Sequence, residues 1–136
     1  MQDSVFNNSN VDDCSVVVLP QLQTEKGAIT ALNNSVEIPF ETRRVHYLYD
    51  VPGGAERGGH AHRELHQLIV AVSGSFDVII NDGFYQRTIS LNRPYHGLLV
   101  APSFWERLKT AVSFLNRPSL RKRLYRHDPV FCFSNE

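Results

Sequence analysis

The chain has 136 residues, of which 42% are hydrophobic, and this is enough for one domain with a continuous core. Its 14 basic and 14 acidic residues cancel, so no broad charged field favours nucleic acid or an anionic membrane as a partner. Because the sequence shows neither a run of about 18 apolar residues nor a signal-peptide pattern, we expect a soluble cytoplasmic protein. Cys14 and Cys132 lie far apart and are expected to be reduced thiols.

Residues 1–14, rich in Asn, Asp and Ser, are predicted to form a flexible polar tail. From Ser15 onward, short apolar or alternating segments recur between turn residues, a spacing that favours strands over helices. These segments are 16–19, 28–32, 44–49, 65–72, 76–80, 85–91 and 97–100. Since the turn sequence Asn81-Asp82-Gly83 separates two of them, we expect 76–80 and 85–91 to pair antiparallel. The chain is therefore predicted to be all-β, as a sandwich or barrel.

The segment from Gly54 to Gly74 contains the candidate catalytic residues. Alternate residues of a strand share a face, so His60 and His62 are expected to face one cavity. Two histidines at this spacing more often bind backbone carbonyls or lie at a wet edge, but the flanking glycines favour the cavity here. His66 continues the same alternation and is expected at the rim.

Gly54, His60, His62 and Gly74 match the spacing of the first cupin motif, which indicates a single RmlC-like jelly-roll β-barrel. The acidic metal-ligand position of that motif is Gln67, and a neutral amide is a poor ligand for a divalent metal. The second cupin motif should supply another histidine near 92–102, where only His96 is available, outside the expected phase. We therefore expect a cupin cavity that holds no metal and no other cofactor.

Beyond that motif, residues from about Lys26 to Trp105 resemble the sugar nucleotide 3,4-ketoisomerases, the WxcM-like family. The resemblance is carried by 38–40, 43–47, 49–54, 57–62, Gln67, 74–75, 81–83, 97–98, Pro102 and Trp105. It implies an isomerase that moves the keto group of a dTDP-4-keto-6-deoxyhexose from C4 to C3 through an enediol. It also implies a homodimer that serves deoxy or amino sugar biosynthesis for surface glycans such as lipopolysaccharide O-antigen.

By the family pattern, His60 and His62 are the catalytic pair, with the roles of base and acid left unassigned between them. Imidazole suits this work because it exchanges protons near neutral pH. The resemblance gives Arg57 and Arg44 the task of supplying positive charge near the enediolate or the pyrophosphate. Either arginine is equally compatible with an ordinary surface charge.

Three further positions are implied to bind substrate. Tyr47 is expected to hydrogen-bond sugar hydroxyls, although a core aromatic residue with a hydrated hydroxyl would fit equally well. Gln67 is expected to orient a histidine or the sugar. Lys26 stands where the family has another residue in a region that shapes the pocket, which leaves the C4 epimer of the product open.

The resemblance ends after Trp105, and this sets the expected organisation: a cupin domain at 15–105 and a divergent C-terminal segment at 106–136. The final apolar strand of the family is expected to be missing. The basic run 119–126 is typical of a solvated surface segment or a short helix. A barrel without its last strand would expose a sheet edge.

Two other functions remain compatible with these residues. One is a metal-dependent cupin enzyme, against which Gln67 and the missing second-motif histidine argue. The other is a non-catalytic cupin that binds a sugar nucleotide, which the divergent C-terminal segment favours. A fold shared by many chemistries does not choose between them.

Overall fold

The computed structural model describes residues 14–50, 56–61, 65–81, 85–100, 105–110 and 129–135, with the backbone alone for 56–61 and 105–110. Every regular element in these ranges is a strand, which confirms the all-β prediction. The strands are β1 (Ser15–Val18), β2 (Leu22–Thr24), β3 (Gly27–Ile29), β4 (Arg44–Leu48), β5 (Glu56–Ala61), β6 (Gln67–Ala71), β7 (Phe76–Asn81), β8 (Gln86–Leu91), β9 (His96–Val100), β10 (Trp105–Thr110) and β11 (Val130–Ser134). No helix in these ranges has the length and hydropathy of a transmembrane segment.

The strands form two larger sheets and one hairpin. The first sheet has the order β1-β9-β6-β11-β4, the second has the order β5-β10-β7-β8, and β2 pairs with β3. The pairing of β7 with β8, from Phe76 opposite Leu91 to Asn81 opposite Gln86, confirms the predicted hairpin. Its turn, 82–84, lies outside the described residues. Gly74 has a φ of 72°, the left-handed conformation that favours glycine, in the turn between β6 and β7.

An apolar core lies between the two larger sheets. Ile69, Leu98 and Val130 of the first sheet belong to the same buried cluster as Val78 and Ile80 of the second. The alternation of buried and half-buried residues along β7 and β11 explains this, because every second side chain points to the facing sheet. The result is the closed two-sheet architecture expected of a cupin-type jelly roll.

The prediction that a final apolar strand is missing is wrong. Strand β11 lies inside the first sheet, between β6 and β4, and pairs with both over its whole length. Strand β10 likewise lies inside the second sheet, between β5 and β7. The prediction failed because the resemblance ends after Trp105, whereas the alternating residues 130–134 that form the strand follow the basic run 119–126. Segment 106–136 therefore supplies an interior strand of the jelly roll, β11, and most of another, β10.

The outer face of the first sheet is also apolar. Val70, Phe131 and Phe133 line a groove of about 340 Å³ there, together with residues from the β2–β3 region such as Gln21 and Ala28. This groove lies on the side of the sheet opposite the core, because Phe131 and Phe133 alternate with the buried Val130 and Cys132. The hairpin therefore overlies the outer face and does not close the interior.

Candidate active site

A polar row crosses one end of the first sheet on its interior side. Ser134 at the end of β11 pairs with Gln67 at the start of β6 and with Arg44 at the start of β4. Directly paired residues of antiparallel strands share a face, so these three positions form a continuous row. Gln67 is 8% exposed and Ser134 3%, whereas Arg44 is exposed. The row thus runs from the protein interior to the surface.

One step deeper along the same strands lies a second row. Cys132 pairs with Ile69 and with His46, and His46 follows Arg44 by two residues on β4. His46 is half-buried, and its Nδ1 atom is buried without a hydrogen-bond partner among the residues that the structure describes. Burial, and to a lesser degree the nearby Arg44 guanidinium, lower the pKa of His46 below its usual value. Both effects favour the neutral form of the imidazole.

The amide of Gln67 has the same unusual environment. Its Oε1 atom is buried, and no residue in the described ranges donates a hydrogen bond to it. Thr42, two residues before the start of β4, carries a third buried and unpartnered atom, Oγ1. A buried polar atom without a partner is destabilising by about 1–3 kcal/mol, and native proteins hold few of them. Several such atoms at one end of one sheet mark a place for a polar ligand.

The second sheet brings β5 to the facing side. His60 pairs with Glu106 of β10, and Glu106 pairs with Ile80 of β7, which is fully buried. The position of His60 therefore belongs to a row that ends in the core. His62, one alternation further on, lies outside the described residues, so the shared orientation of the two histidines stays a prediction.

A shift of register on β5 also affects Arg57. Glu106 pairs with His60 and Arg107 pairs with Gly58, so the ladder skips Gly59. Arg57 then pairs with Leu108, which is opposite the buried Val78 of β7. Without this irregularity, positions three residues apart would fall on opposite faces of the strand. The shift places both Arg57 and His60 in rows that lead to the core.

The structure does not bring every predicted residue to this end of the molecule. Tyr47 lies in phase with Tyr49, as expected, but their rings pack 5.7 Å apart, and Tyr47 stacks on Phe131 at 5.0 Å, on the outer face. Tyr47 is thus on the opposite side of β4 from His46, and we correct its assignment as a sugar ligand. Lys26 is exposed in the turn of the β2–β3 hairpin, whose two strands pair with each other and belong to neither larger sheet.

His66 lies at the rim, as the alternation predicted. It is exposed, its backbone N–H donates to Asn135 Oδ1 at 2.9 Å, and its ring contacts Phe40 at 6.0 Å. His46, by contrast, is a residue that the sequence analysis missed. The signal that could have found it is the two-residue alternation of Arg44, His46 and Leu48 along one strand. Leu48 packs against the core, so His46 lies on the same, inward face.

Two antiparallel sheets around a core, with unsatisfied polar atoms at one end of their interior, define a jelly-roll domain of the cupin class. The model of the family described as "FdtA: WxcM-like, C-terminal" matches residues 12–114, more than half of the chain. The chain belongs to this WxcM-like family.

Proteins similar to this chain are named as 3,4-oxoisomerases or 3,4-ketoisomerases. The chain is 36% identical over 93 residues to a TDP-4-oxo-6-deoxy-alpha-D-glucose-3,4-oxoisomerase from Aneurinibacillus thermoaerophilus, covering 68% of this chain and 67% of the relative. Its fold is similar to the WlaRB TDP-quinovose 3,4-ketoisomerase from Campylobacter jejuni, with a TM-score of 0.78, 30% identity, and coverage of 93% and 87% of the two chains. A 3,4-ketoisomerase from Helicobacter canadensis gives a TM-score of 0.78 at 28% identity, with coverage of 91% and 84%.

Proposed function

We propose that this protein is a sugar nucleotide isomerase that moves the keto group of dTDP-4-keto-6-deoxyglucose from C4 to C3. The observation that carries this proposal is the 36% identity to a named 3,4-oxoisomerase over two thirds of the chain. The unsatisfied atoms of Gln67 and His46 support it, because the hydroxyl groups of a hexose can donate hydrogen bonds to such buried acceptors.

The reaction requires proton transfer at two adjacent carbons. A base removes the proton from C3 beside the ketone, which gives an enediolate, and an acid delivers a proton to C4. In the same rearrangement the C3 hydroxyl loses its proton and the C4 oxygen gains one before the new ketone is complete. We assign these transfers to His60 and His62, because the unperturbed imidazole pKa of about 6.5 lets one ring act as base and then as acid.

The remaining predicted residues have binding roles in this proposal. Arg57 and Arg44 neutralise the pyrophosphate or the enediolate, since a guanidinium presents a planar fork of donors to such oxygens. Gln67 orients the sugar or a histidine from the buried end of the polar row. Lys26 remains a proposed contributor to substrate binding, as the resemblance implies, although the hairpin that carries it overlies the outer face of the first sheet.

Incubation with dTDP-4-keto-6-deoxyglucose in deuterium oxide tests the reaction directly. We expect NMR to show the ketone carbon signal moving from C4 to C3, with deuterium incorporated at C4 as the histidine proton exchanges with solvent. Binding of the substrate without any 3-keto product would instead support a non-catalytic cupin. Metal analysis of the purified protein, with activity measured before and after chelation, separates this enzyme from a metal-dependent cupin.

The protein is proposed to act as a homodimer. The β2–β3 hairpin is exposed at every residue, and its paired Leu22 and Ile29 are 62% and 63% exposed. An isolated two-stranded hairpin is marginally stable in water, so cover from a second copy would stabilise it. The apolar groove beneath the hairpin extends the surface available to that copy.

Light scattering after size-exclusion chromatography is expected to give twice the mass of one chain. The double variant Leu22→Glu/Ile29→Glu should give the mass of a single chain, because four charges would then meet in the interface. Val36→Glu, at a side chain that is 73% exposed outside the hairpin, is the control and should leave the mass unchanged. A single-chain mass for the unmodified protein would overturn the proposal.

We place the protein in the cytoplasm, in a route to deoxy or amino sugars of surface glycans such as lipopolysaccharide O-antigen. The buried thiols of Cys14 and Cys132 are compatible with a reducing compartment. A ketone at C3 is the group that a transaminase needs in order to install an amino group there, which supports this place in a reaction sequence.

A further inference from the structure

The pairing of β6 with β11 ends beside the polar row in an irregular way. In a regular hydrogen-bonded antiparallel pair, two opposite residues exchange both bonds through their backbones. Asn135 and His66 exchange two bonds, and one of them follows this rule, since Asn135 N donates to His66 O at 3.4 Å. The other, at 2.9 Å, runs from His66 N to the side-chain Oδ1 of Asn135. Asn135 therefore closes this pair with a side-chain acceptor that alanine lacks and aspartate retains.

The closing pair lies next to both ends of the polar row. Gln67 follows His66 in the chain, and Ser134, which pairs with Gln67, precedes Asn135. On the other side of β11, the backbone O of Ser134 accepts a hydrogen bond from Arg43 N at 2.9 Å, one residue before β4 begins. Residues 134 and 135 thus hold the first residues of β4 and β6 in register across β11.

Gln67 is the residue of the row that depends most on this closing pair. It is 8% exposed, and its Oε1 atom is buried without a hydrogen-bond partner among the described residues. A side-chain oxygen that no donor in these ranges holds takes its position from its own backbone. The backbone at His66 is fixed by Asn135, so this hydrogen bond determines where Gln67 Oε1 meets a ligand.

Other contacts hold β6 in its sheet independently of the closing bond. The ring of His66 lies 6.0 Å from that of Phe40, and Phe40 packs against the buried cluster on the outer face that contains Leu68. The strand Gln67–Ala71 is buried at every residue. Variants of Asn135 are therefore expected to fold.

We propose that Asn135 is a positioning residue of the isomerase, and that its hydrogen bond with the His66 N–H fixes Gln67 for contact with the sugar nucleotide. The proposal rests on the proposed function and deepens it. It gives a place in substrate binding to a residue outside 12–114, the range that the family model matches. Asn135 itself contacts no substrate and takes no part in proton transfer.

Amide hydrogen exchange followed by NMR tests the closing bond without turnover. In Asn135→Ala the His66 N–H loses its acceptor, so its exchange rate should rise about five-fold, as for the loss of one neutral hydrogen bond. Asn135→Asp keeps an acceptor oxygen and should exchange no faster than the unmodified protein. Ser90→Ala is the control, because it removes an exposed side-chain bond, from Ser90 Oγ to Asp77 Oδ1 at 2.6 Å, in the other large sheet. An unchanged rate in Asn135→Ala would overturn the proposal.

Kinetics test whether the bond positions Gln67. Because Gln67 is assigned to substrate binding and the proton transfers to the two catalytic histidines, Asn135→Ala should raise KM for the 4-keto sugar nucleotide about three-fold at an unchanged kcat. Asn135→Asp should restore the KM, and Ser90→Ala should leave it unchanged. A fall in kcat without a rise in KM would overturn the proposal, since a general loss of folded protein gives that result.

A double variant identifies the route by which Asn135 acts. If that route is Gln67, the variant Gln67→Ala/Asn135→Ala should have the KM of Gln67→Ala alone, because residues that work through one contact are not additive. A further rise of KM in the double variant would show another route and overturn the proposal. Urea denaturation establishes that each variant is folded under the assay conditions.

These measurements separate the positioning role from the function on which it rests. Turnover by the unmodified protein, with an unchanged KM in Asn135→Ala, would refute the role of Asn135 and leave the isomerase intact. If no 3-keto product forms, the dissociation constant of TDP-glucose takes the place of KM. Weaker binding by Asn135→Ala would then support the positioning of Gln67 by Asn135 and refute the isomerase.

Discussion

Replacement of His60 or His62 by Asn is expected to lower kcat by about 10²–10⁴-fold, the usual contribution of a general acid or base. Asparagine keeps a polar side chain of similar size but cannot exchange a proton near neutral pH. If both histidines take part in the same shuttle, the double variant should be little worse than the poorer single variant, because residues that act as a unit are not additive. NMR of the ketone carbon signals gives kcat, and calorimetry with TDP gives the affinity for the nucleotide.

The control for this experiment is His66→Asn, which changes a histidine in the same alternating phase but at the exposed rim. We expect its kcat to equal that of the unmodified protein. The affinity for TDP should be retained in all variants, since the nucleotide is assigned to the arginines. Full activity in both single variants would refute the assignment of His60 and His62 as the catalytic pair. The chain would still belong to the WxcM-like family.

Val130→Asp is expected to lower the free energy of unfolding by at least about 3 kcal/mol, a large part of the 5–15 kcal/mol of a typical domain. Val130 is fully buried at the start of β11, where its side chain belongs to the core cluster. A carboxylate there would lose its hydration without gaining a partner of opposite charge among the apolar residues of that cluster. Urea denaturation followed by circular dichroism measures the change.

Val36→Asp introduces the same side chain at a position that is 73% exposed, and it should change stability by less than about 0.5 kcal/mol. The comparison also examines the position of β11 in the first sheet. If the two variants unfolded at the same urea concentration, residues 130–134 would not be an interior strand, and the expectation of an incomplete barrel would return.

Much of the fold could be predicted because it depends on local patterns. Alternation along 76–80 and 85–91, with a turn sequence between them, is enough to specify a hairpin, since both its strands and its turn are contiguous. Gly74 is a second case, where a residue that tolerates positive φ marks the turn between β6 and β7. The spacing of His60 and His62 identified the candidate site in the same way, from neighbours in the chain.

The candidate site itself could be predicted only in part. Gln67 was expected near the substrate, and its buried, unpartnered oxygen supports that expectation. Tyr47 was expected there as well, but the residues of β4 that face the interior are those in phase with Leu48. This phase makes His46, with no motif around it, a neighbour of the polar row and turns Tyr47 to the outer face.

By itself, the sequence determined that the chain is all-β, where its hairpin turns, and to which family its histidine motif belongs. Only the tertiary structure decided that 130–134 lies between β6 and β4, that His46 shares a wall with Gln67, and that the skipped Gly59 puts Arg57 and His60 in rows leading to the core. The physical reason is that strand alternation repeats every two residues, so a shift of one residue exchanges the two faces. Which face is buried is settled by pairing with strands that are distant in the chain.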